Sequence, residues 1–272
     1  MSAPTLFLAD LDGTLLNSEK KVTEKTKKAL AEFTAHGNYF AISTGRPWLN
    51  TRRILKGLEL PEDRAFAACF NGAEVYASTG ERIFQAGVDV QVAREILAIG
   101  REEGVYIHTY DSYGILSDQD TKELAYYMQH TPLPAHVVKD AGRAVMDPPA
   151  KLIAVELEDF EKLEKLRERL EHDYAGILKI RRSEKTLLEI FSCKAGKDRA
   201  LLALCEHLHL DPKQTVAAGD AENDTDMIRA AGVGIVMCNG QEEVKRVADV
   251  VTARDNDHDG LVEYLAGGCI FH

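Results

Sequence analysis

Four groups of polar residues in this sequence fall directly after short apolar runs, where their side chains could do chemistry together. The first, Asp10-Leu11-Asp12-Gly13-Thr14, follows residues 5–9. The second, Ser43-Thr44-Gly45-Arg46, follows NYFAI. The third is Lys197, shortly after residues 188–191 and at the predicted start of a helix. The fourth, Gly219-Asp220-Ala221-Glu222-Asn223-Asp224, follows TVAA. Each apolar run reads as a buried strand, and open parallel sheets bind ligands beyond the carboxyl ends of their strands. Carboxylates, a hydroxyl and an ammonium gathered there supply acids, bases, nucleophiles or hard oxygen ligands. Taken singly, each group is also turn chemistry, and Thr44 or Asp220 would serve as a helix cap. Chance supplies D-x-D-G-T in a chain of this length with a probability of about a few in a thousand. All four groups at strand ends, in this order, exceed what turns explain.

Such positions need elements that deliver them. Residues 5–9 are a predicted strand, and 23–36 a helix with Thr23 as its N-cap and Gly37 just past its end. A second strand covers 38–43, and 47–58 is a helix with Pro47 in its first turn. Residues 198–210 carry Ala200, Leu201, Leu204, Cys205 and Leu208 at helical spacing. Strand and helix then alternate over 215–218, 225–231, 234–237, 242–248 and 249–252. This alternation predicts an α/β fold: a doubly wound, Rossmann-like parallel sheet with helices on both faces.

The middle of the chain has another rhythm. Residues 88–104 read as a helix, 105–110 and 114–117 as a hairpin, and 121–130 as a helix. A proline-rich stretch follows, then a strand at 151–157, a charged amphipathic helix at 159–172, and paired strands at 177–182 and 187–191. An α+β module of about 100 residues can hold its own small core. We therefore expect residues 1–82 and 188–272 to form the catalytic core, with 83–187 inserted into it.

A formal charge of −11 argues against binding nucleic acid through a general positive field. It does not oppose a small phosphorylated ligand, because a local pocket can be basic. No stretch approaches the roughly 20 apolar residues of a membrane span. The N-terminus lacks the charged region and long apolar run of a signal peptide. Five cysteines (Cys69, Cys193, Cys205, Cys238 and Cys269) are odd in number and contain no C-x-x-C pair. That suits reduced thiols, and a cytoplasmic location is expected.

The order DLDGTLL, STGR, a lysine and GDAEND resembles the haloacid dehalogenase superfamily of aspartate-dependent phosphohydrolases. More narrowly, it resembles the Cof-type subfamily, in which a large α/β cap is inserted between the second and third motifs. The resemblance extends to Asn71-Gly72-Ala73, similar to the N-G-A/S before the cap. It also reaches Asn256-Asp257-His258-Asp259-Gly260-Leu261, similar to N-x-x-D-G-V. The third motif departs from the pattern: FSCKAGKDRAL places Asp198 where a Lys-Gly pair has its glycine. Counting back from Ala200-Leu201 selects Lys197, with Lys194 as the alternative.

The resemblance implies roles that the residue types can perform. Asp10 would be the nucleophile and a metal ligand, forming an aspartyl-phosphate. Asp12 would be the general acid and base, and its backbone carbonyl a further metal ligand. The Leu11 amide, Thr44, the Gly45 amide, Lys197 and Asn223 would bind the transferring phosphate. Asp220 would complete a Mg2+ site, with Asp224 orienting its ligands. Arg46, Asn71 and Gly72 are candidates for substrate or cap contacts. The implied substrate is a small phosphorylated metabolite, a sugar phosphate or phosphorylated cofactor, with no nucleic acid or membrane as partner. Monomer is the default expectation, and a dimer through an apolar patch on the cap is the alternative.

Other functions fit less well. A phosphotransferase of the same fold, moving phosphate between sugar positions, uses the same groups. A phospho-receiver needs no second acid, so Asp12 and the large insertion argue against it. The run from Asp255 to Gly260 matches the first half of a calcium loop, but its twelfth position is Ala266 rather than Glu. A turn near the active site is the preferred reading. His207 and His209 point to different faces of a helix, and no P-loop motif is present.

Overall fold

The computed structural model describes residues 4–266. Cys269 lies outside them. The chain divides into two compact units, one running to Gln85 and resuming at Gly196, the other Ala86–Ala195.

The first unit is built on eight strands: β1 (Leu6–Ala9), β2 (Tyr39–Ser43), β3 (Ala65–Cys69), β4 (Glu74–Ala77), β5 (Arg82–Gln85) and, after the second unit, strands at Thr215–Gly219, Val233–Val236 and Val250–Val251. With the second unit's strands numbered β6–β11 below, these last three are β12–β14. Their order is β14-β13-β12-β1-β2-β3-β4-β5. All neighbours are parallel from β14 to β3, and β4 and β5 return antiparallel at the edge. Strand order reverses between β1 and β12, the switch point at which a doubly wound sheet opens a crevice. Alternation along β1 sends Leu6 and Leu8 to one face, packed with Ala200, Leu201 and Leu204 of the helix Lys197–Leu208. Phe7 goes to the other face and meets Phe33 of the helix Glu24–Ala35 edge-on, with ring centroids 6.0 Å apart. Helices on both faces leave β1 wholly buried.

The second unit carries β6 (Tyr106–Asp111), β7 (Gly114–Ser117), β8 (Ala135–Val137), β9 (Lys151–Val155), β10 (Leu178–Glu184) and β11 (Leu187–Ser192) in the order β10-β11-β9-β6-β7-β8. All pairs are antiparallel except β7 with β8. One face packs Ile107, Leu152, Ala154, Leu188 and Ile190 against the helices Val90–Glu103 and Phe160–Asp173. Each leucine or isoleucine fully buried there contributes about 1.5–3 kcal/mol.

Two differences from the expected boundaries have a simple cause. β5 pairs with β4 and so extends the first unit to Gln85 rather than to residue 82. β11 is held between β9 and β10, so the return crossing falls at Ala195/Gly196 and not before residue 188. A strand stays with the ladder that satisfies its amides. The proline-rich stretch, to which no element is assigned from the sequence, contains β8 and a short helix at Ala141–Ala144.

Among the described residues no helix is long and apolar enough to cross a membrane, and Cys69, Cys193, Cys205 and Cys238 are free thiols.

Candidate active site

β1 and β12 lie side by side in register, with Ala9 opposite Ala218. The residues that follow them therefore emerge together at the carboxyl edge. Asp10 continues the ladder, its amide donating to the Ala218 carbonyl at 2.9 Å. Its side chain is buried, and Oδ1 accepts from Lys197 Nζ at 2.5 Å. The same ammonium donates to Asp224 Oδ1 at 2.6 Å. Asp224 is fully buried, and its Oδ2 accepts the amides of Asp220 at 3.0 Å and Ala221 at 3.1 Å. Asp220 completes the group, its Oδ1 accepting from the Thr14 hydroxyl at 2.8 Å.

Glycines make this approach possible. Gly13 has φ +86°, and a Cβ there would lie 2.5 Å from Asp220 Oδ2. Gly72, at φ +85°, would put a Cβ 2.1 Å from the Gly196 carbonyl, so only glycine lets this turn rest on the start of the helix bearing Lys197.

Burial sets the electrostatics. It pushes the Asp10 carboxyl up, to about 7, with Lys197 opposing and the nearby Asp224 reinforcing the rise. Burial alone would lower Lys197, but Asp10 and Asp224 outweigh it and hold the ammonium charged well above its usual range. Asp220 is also raised, by burial first, against the Thr14 hydrogen bond. One carboxylate oxygen each from Asp10, Asp220 and Asp224 lies within 4.8 Å of the others. Hard oxygen donors so crowded suit a small divalent cation such as Mg2+, which would offset their mutual repulsion. Both oxygens of Asp224 are engaged in hydrogen bonds, so Asp10 and Asp220 are the carboxylates better placed to ligate it.

Asp12 stands apart from this cluster. Its carboxylate accepts two bonds from Arg46, Nε to Oδ2 at 3.0 Å and Nη2 to Oδ1 at 2.7 Å, and one from Lys20 Nζ at 2.8 Å. Burial would raise the carboxyl, yet these bonds from Arg46 and Lys20 hold it below its ordinary value. The intervening Leu11 is buried. Arg46, a candidate for contact with substrate, is thus turned to Asp12.

The remaining candidates form a second rim. Thr44 is buried; its Oγ1 accepts the Arg46 amide at 3.2 Å and its carbonyl accepts the Asn71 amide at 2.9 Å. Asn71 adopts φ 54°, ψ 37°, and Asn223 Nδ2 donates to its Oδ1 at 3.2 Å. A Cβ on Gly45 would lie 3.2 Å from that Oδ1, so the Asn71 amide covers the glycine closely. Lys20 was not anticipated, because nothing in its sequence neighbourhood marks a lysine eight residues beyond Asp12 as its partner. Thr14 lay inside the first motif without an assigned contact. Asp255, Asp257 and Asp259 do not converge as calcium ligands: they accept separately from His258, Ser18 and Thr23.

Comparison with known proteins gives the family of the chain. Residues 7–265 match the family model of the haloacid dehalogenase-like hydrolases. The chain is 30% identical to Phosphatase YwpJ of Bacillus subtilis (strain 168), over 93% of this chain and 96% of that one. It is 30% identical to the HMP-PP phosphatase of Cronobacter sakazakii, over 86% of this chain and 84% of that one. A haloacid dehalogenase-like hydrolase from Bacteroides thetaiotaomicron superposes with a TM-score of 0.85 at 27% identity, covering 97% of this chain and 98% of that one. The chain belongs to the haloacid dehalogenase-like hydrolases of the Cof type. Within that family it is a phosphatase-type hydrolase.

Proposed function

We propose that the protein removes phosphate from a small phosphorylated metabolite, with Mg2+ bound, through an aspartyl-phosphate on Asp10. The observation that carries this reading is the meeting of Asp10 and Asp224 on the Lys197 ammonium, with an Asp220 oxygen within 4.8 Å of theirs, at the β1–β12 switch point. The resemblance to an HMP-PP phosphatase supports the substrate class.

Asp10, Asp220 and the Asp12 carbonyl would hold the cation, which when bound would offset the repulsion between an anionic nucleophile and an anionic phosphate. A carboxylate oxygen of Asp10 attacks phosphorus, and the bond to the leaving oxygen breaks. Asp12 gives its proton to that oxygen. Water then attacks the phosphoryl group, its proton passes to Asp12, and the Asp10–phosphate bond breaks to release inorganic phosphate. Lys197, the Leu11 and Gly45 amides, Thr44 and Asn223 hold the phosphoryl oxygens throughout. Asp12 starts as an anion paired with Arg46 and Lys20, so entry of substrate must draw Arg46 off Oδ2 before that oxygen can carry a proton, while Lys20 stays on Oδ1. Asn71 aligns Asn223, and the Ala86–Ala195 unit serves as the cap that selects the leaving group.

The test is a panel of phosphorylated metabolites and an aryl phosphate, each with Mg2+. Hydrolysis of sugar phosphates or phosphorylated cofactors is expected. Failure on every phosphomonoester would sink the reading.

A further inference from the structure

The chain from Gly13 to Thr23 leaves Asp12 and returns to the helix Glu24–Ala35, and its middle has no core beneath it. Leu15 and Leu16 are buried, but Ser18, Glu19, Lys20 and Lys21 are exposed. The turn closes on itself through Lys20 N–H to the Asn17 carbonyl (2.8 Å) and Asn17 N–H to the Lys21 carbonyl (3.0 Å), with Lys20 at φ 60°. A non-glycine residue in that conformation is held by its surroundings rather than by preference. Apolar packing does not hold it here.

Side chains from a distant part of the same unit do. Asn239 Nδ2 donates to the Gly13 carbonyl and Asn256 Nδ2 to the Leu16 carbonyl, both at 2.8 Å. Asp257 accepts the Ser18 amide on Oδ1 at 2.7 Å and the Ser18 hydroxyl on Oδ2 at 2.6 Å. Asp259 Oδ1 accepts the Thr23 hydroxyl at 2.5 Å, and Lys25 lies 3.7 Å from its Oδ2. The contacts run in order, 239, 256, 257 and 259 against 13, 16, 18 and 23. Their platform is braced internally. Asp255 accepts from the His258 amide, the Gly260 amide donates to the Asp255 carbonyl, and the Asn256 amide donates to Asn239 Oδ1. A Cβ on Gly260 would meet the Arg254 carbonyl at 2.1 Å, so the platform turns tightly there.

We propose that Asn256 and Asp257, helped by Asn239 and Asp259, are positioning residues that clasp residues 13–23 and thereby fix Lys20 against Asp12. The role rests on the phosphatase reading only for its effect on turnover. The clasp acts through the turn: Asp257 fixes Ser18, the turn fixes Lys20, and Lys20 Nζ holds Asp12 Oδ1 at 2.8 Å. Catalytic groups misplaced by about an ångström lose rate steeply, so release of the turn lowers kcat more than substrate binding.

Asp257→Ala removes both bonds to Ser18. Asp257→Asn keeps both, because its Oδ1 still accepts the amide and its Nδ2 donates to the Ser18 oxygen. Hydrogen exchange of the 17–21 amides, measured without substrate, is expected to speed up in Asp257→Ala and to stay near wild type in Asp257→Asn. With an aryl phosphate and Mg2+, kcat is expected to fall about tenfold in Asp257→Ala at unchanged KM and to be restored in Asp257→Asn. Unchanged exchange and kcat in Asp257→Ala overturn the proposal. Equal damage in both variants also overturns it, by assigning the effect to charge. If wild type hydrolyses nothing while exchange responds as expected, the clasp stands and the phosphatase reading falls.

Discussion

Lys197 Nζ lies 2.5 Å from Asp10 Oδ1 across 187 positions of sequence, and one buried ammonium serves both Asp10 and Asp224. Removing one partner from a buried charge cluster leaves the others uncompensated. Lys197→Ala should therefore abolish turnover and cost about 3–5 kcal/mol of stability in urea unfolding. An active, stable Lys197→Ala protein would transfer the role to Lys194.

Asp10 and Asp12 occupy different environments and should fail differently. Asp10 is buried on Lys197, while Asp12 is half-exposed and paired with Arg46 and Lys20. Asp10→Asn should end turnover outright. Asp12→Asn should still accept phosphate on Asp10 and accumulate it, seen in intact mass after acid quench as one added phosphoryl group. If Asp10→Asn proved the milder lesion, the two roles would be reversed.

The raised Asp10 carboxyl predicts a pH-dependent cation affinity. Its folded value of about 7 lies above the ordinary 3.8, so between these limits the folded protein holds a proton that an unfolded chain releases. A cation must displace that proton. Mg2+ affinity should rise with pH by up to roughly tenfold per unit in this window and level off above about 7. Calorimetry in buffers of different ionisation enthalpy would show the released proton. An affinity constant from pH 5 to 7 would contradict the placement of the cation on Asp10.

The strands that end in Asp10, Thr44 and Asp220 were legible because a buried parallel strand is a short apolar run, and polar residues at its end stand out against it. That the Lys197 ammonium bonds both Asp10 and Asp224, with an Asp220 oxygen within 4.8 Å of theirs, is not legible, since it depends on glycine clearances at residues 13 and 72. Lys20 escaped because its partnership with Asp12 depends on a left-handed backbone in an exposed turn. β8 and Ala141–Ala144 escaped because flanking prolines mask elements of three and four residues. The return crossing between the units falls at Ala195/Gly196 rather than before residue 188, because β11 stays in the ladder with β10 and β9. Tertiary pairing, not local preference, settles such positions.

His108 lies in β6 of the Ala86–Ala195 unit, fully buried, with neither ring nitrogen hydrogen-bonded. The rings of Tyr106, Tyr110 and Tyr127 surround it, at centroid distances of 5.6, 5.6 and 4.5 Å. Burial, and then the Lys151 charge, push its pKa down from 6.5 to about 3. Above pH 6.5 folded and unfolded chains are both neutral at this site. Below it the unfolded chain takes up a proton that the folded chain refuses, so stability falls from pH 6.5 toward about 3. At pH 5 this costs the wild type about 2 kcal/mol relative to neutrality. Leucine at this position removes two unsatisfied polar atoms and the titration together. His108→Leu should gain about 1–2 kcal/mol at pH 7 and gain more at pH 5, read as urea unfolding midpoints at the two pH values. A variant less stable than wild type at both would show that the imidazole makes a contact worth more than its desolvation.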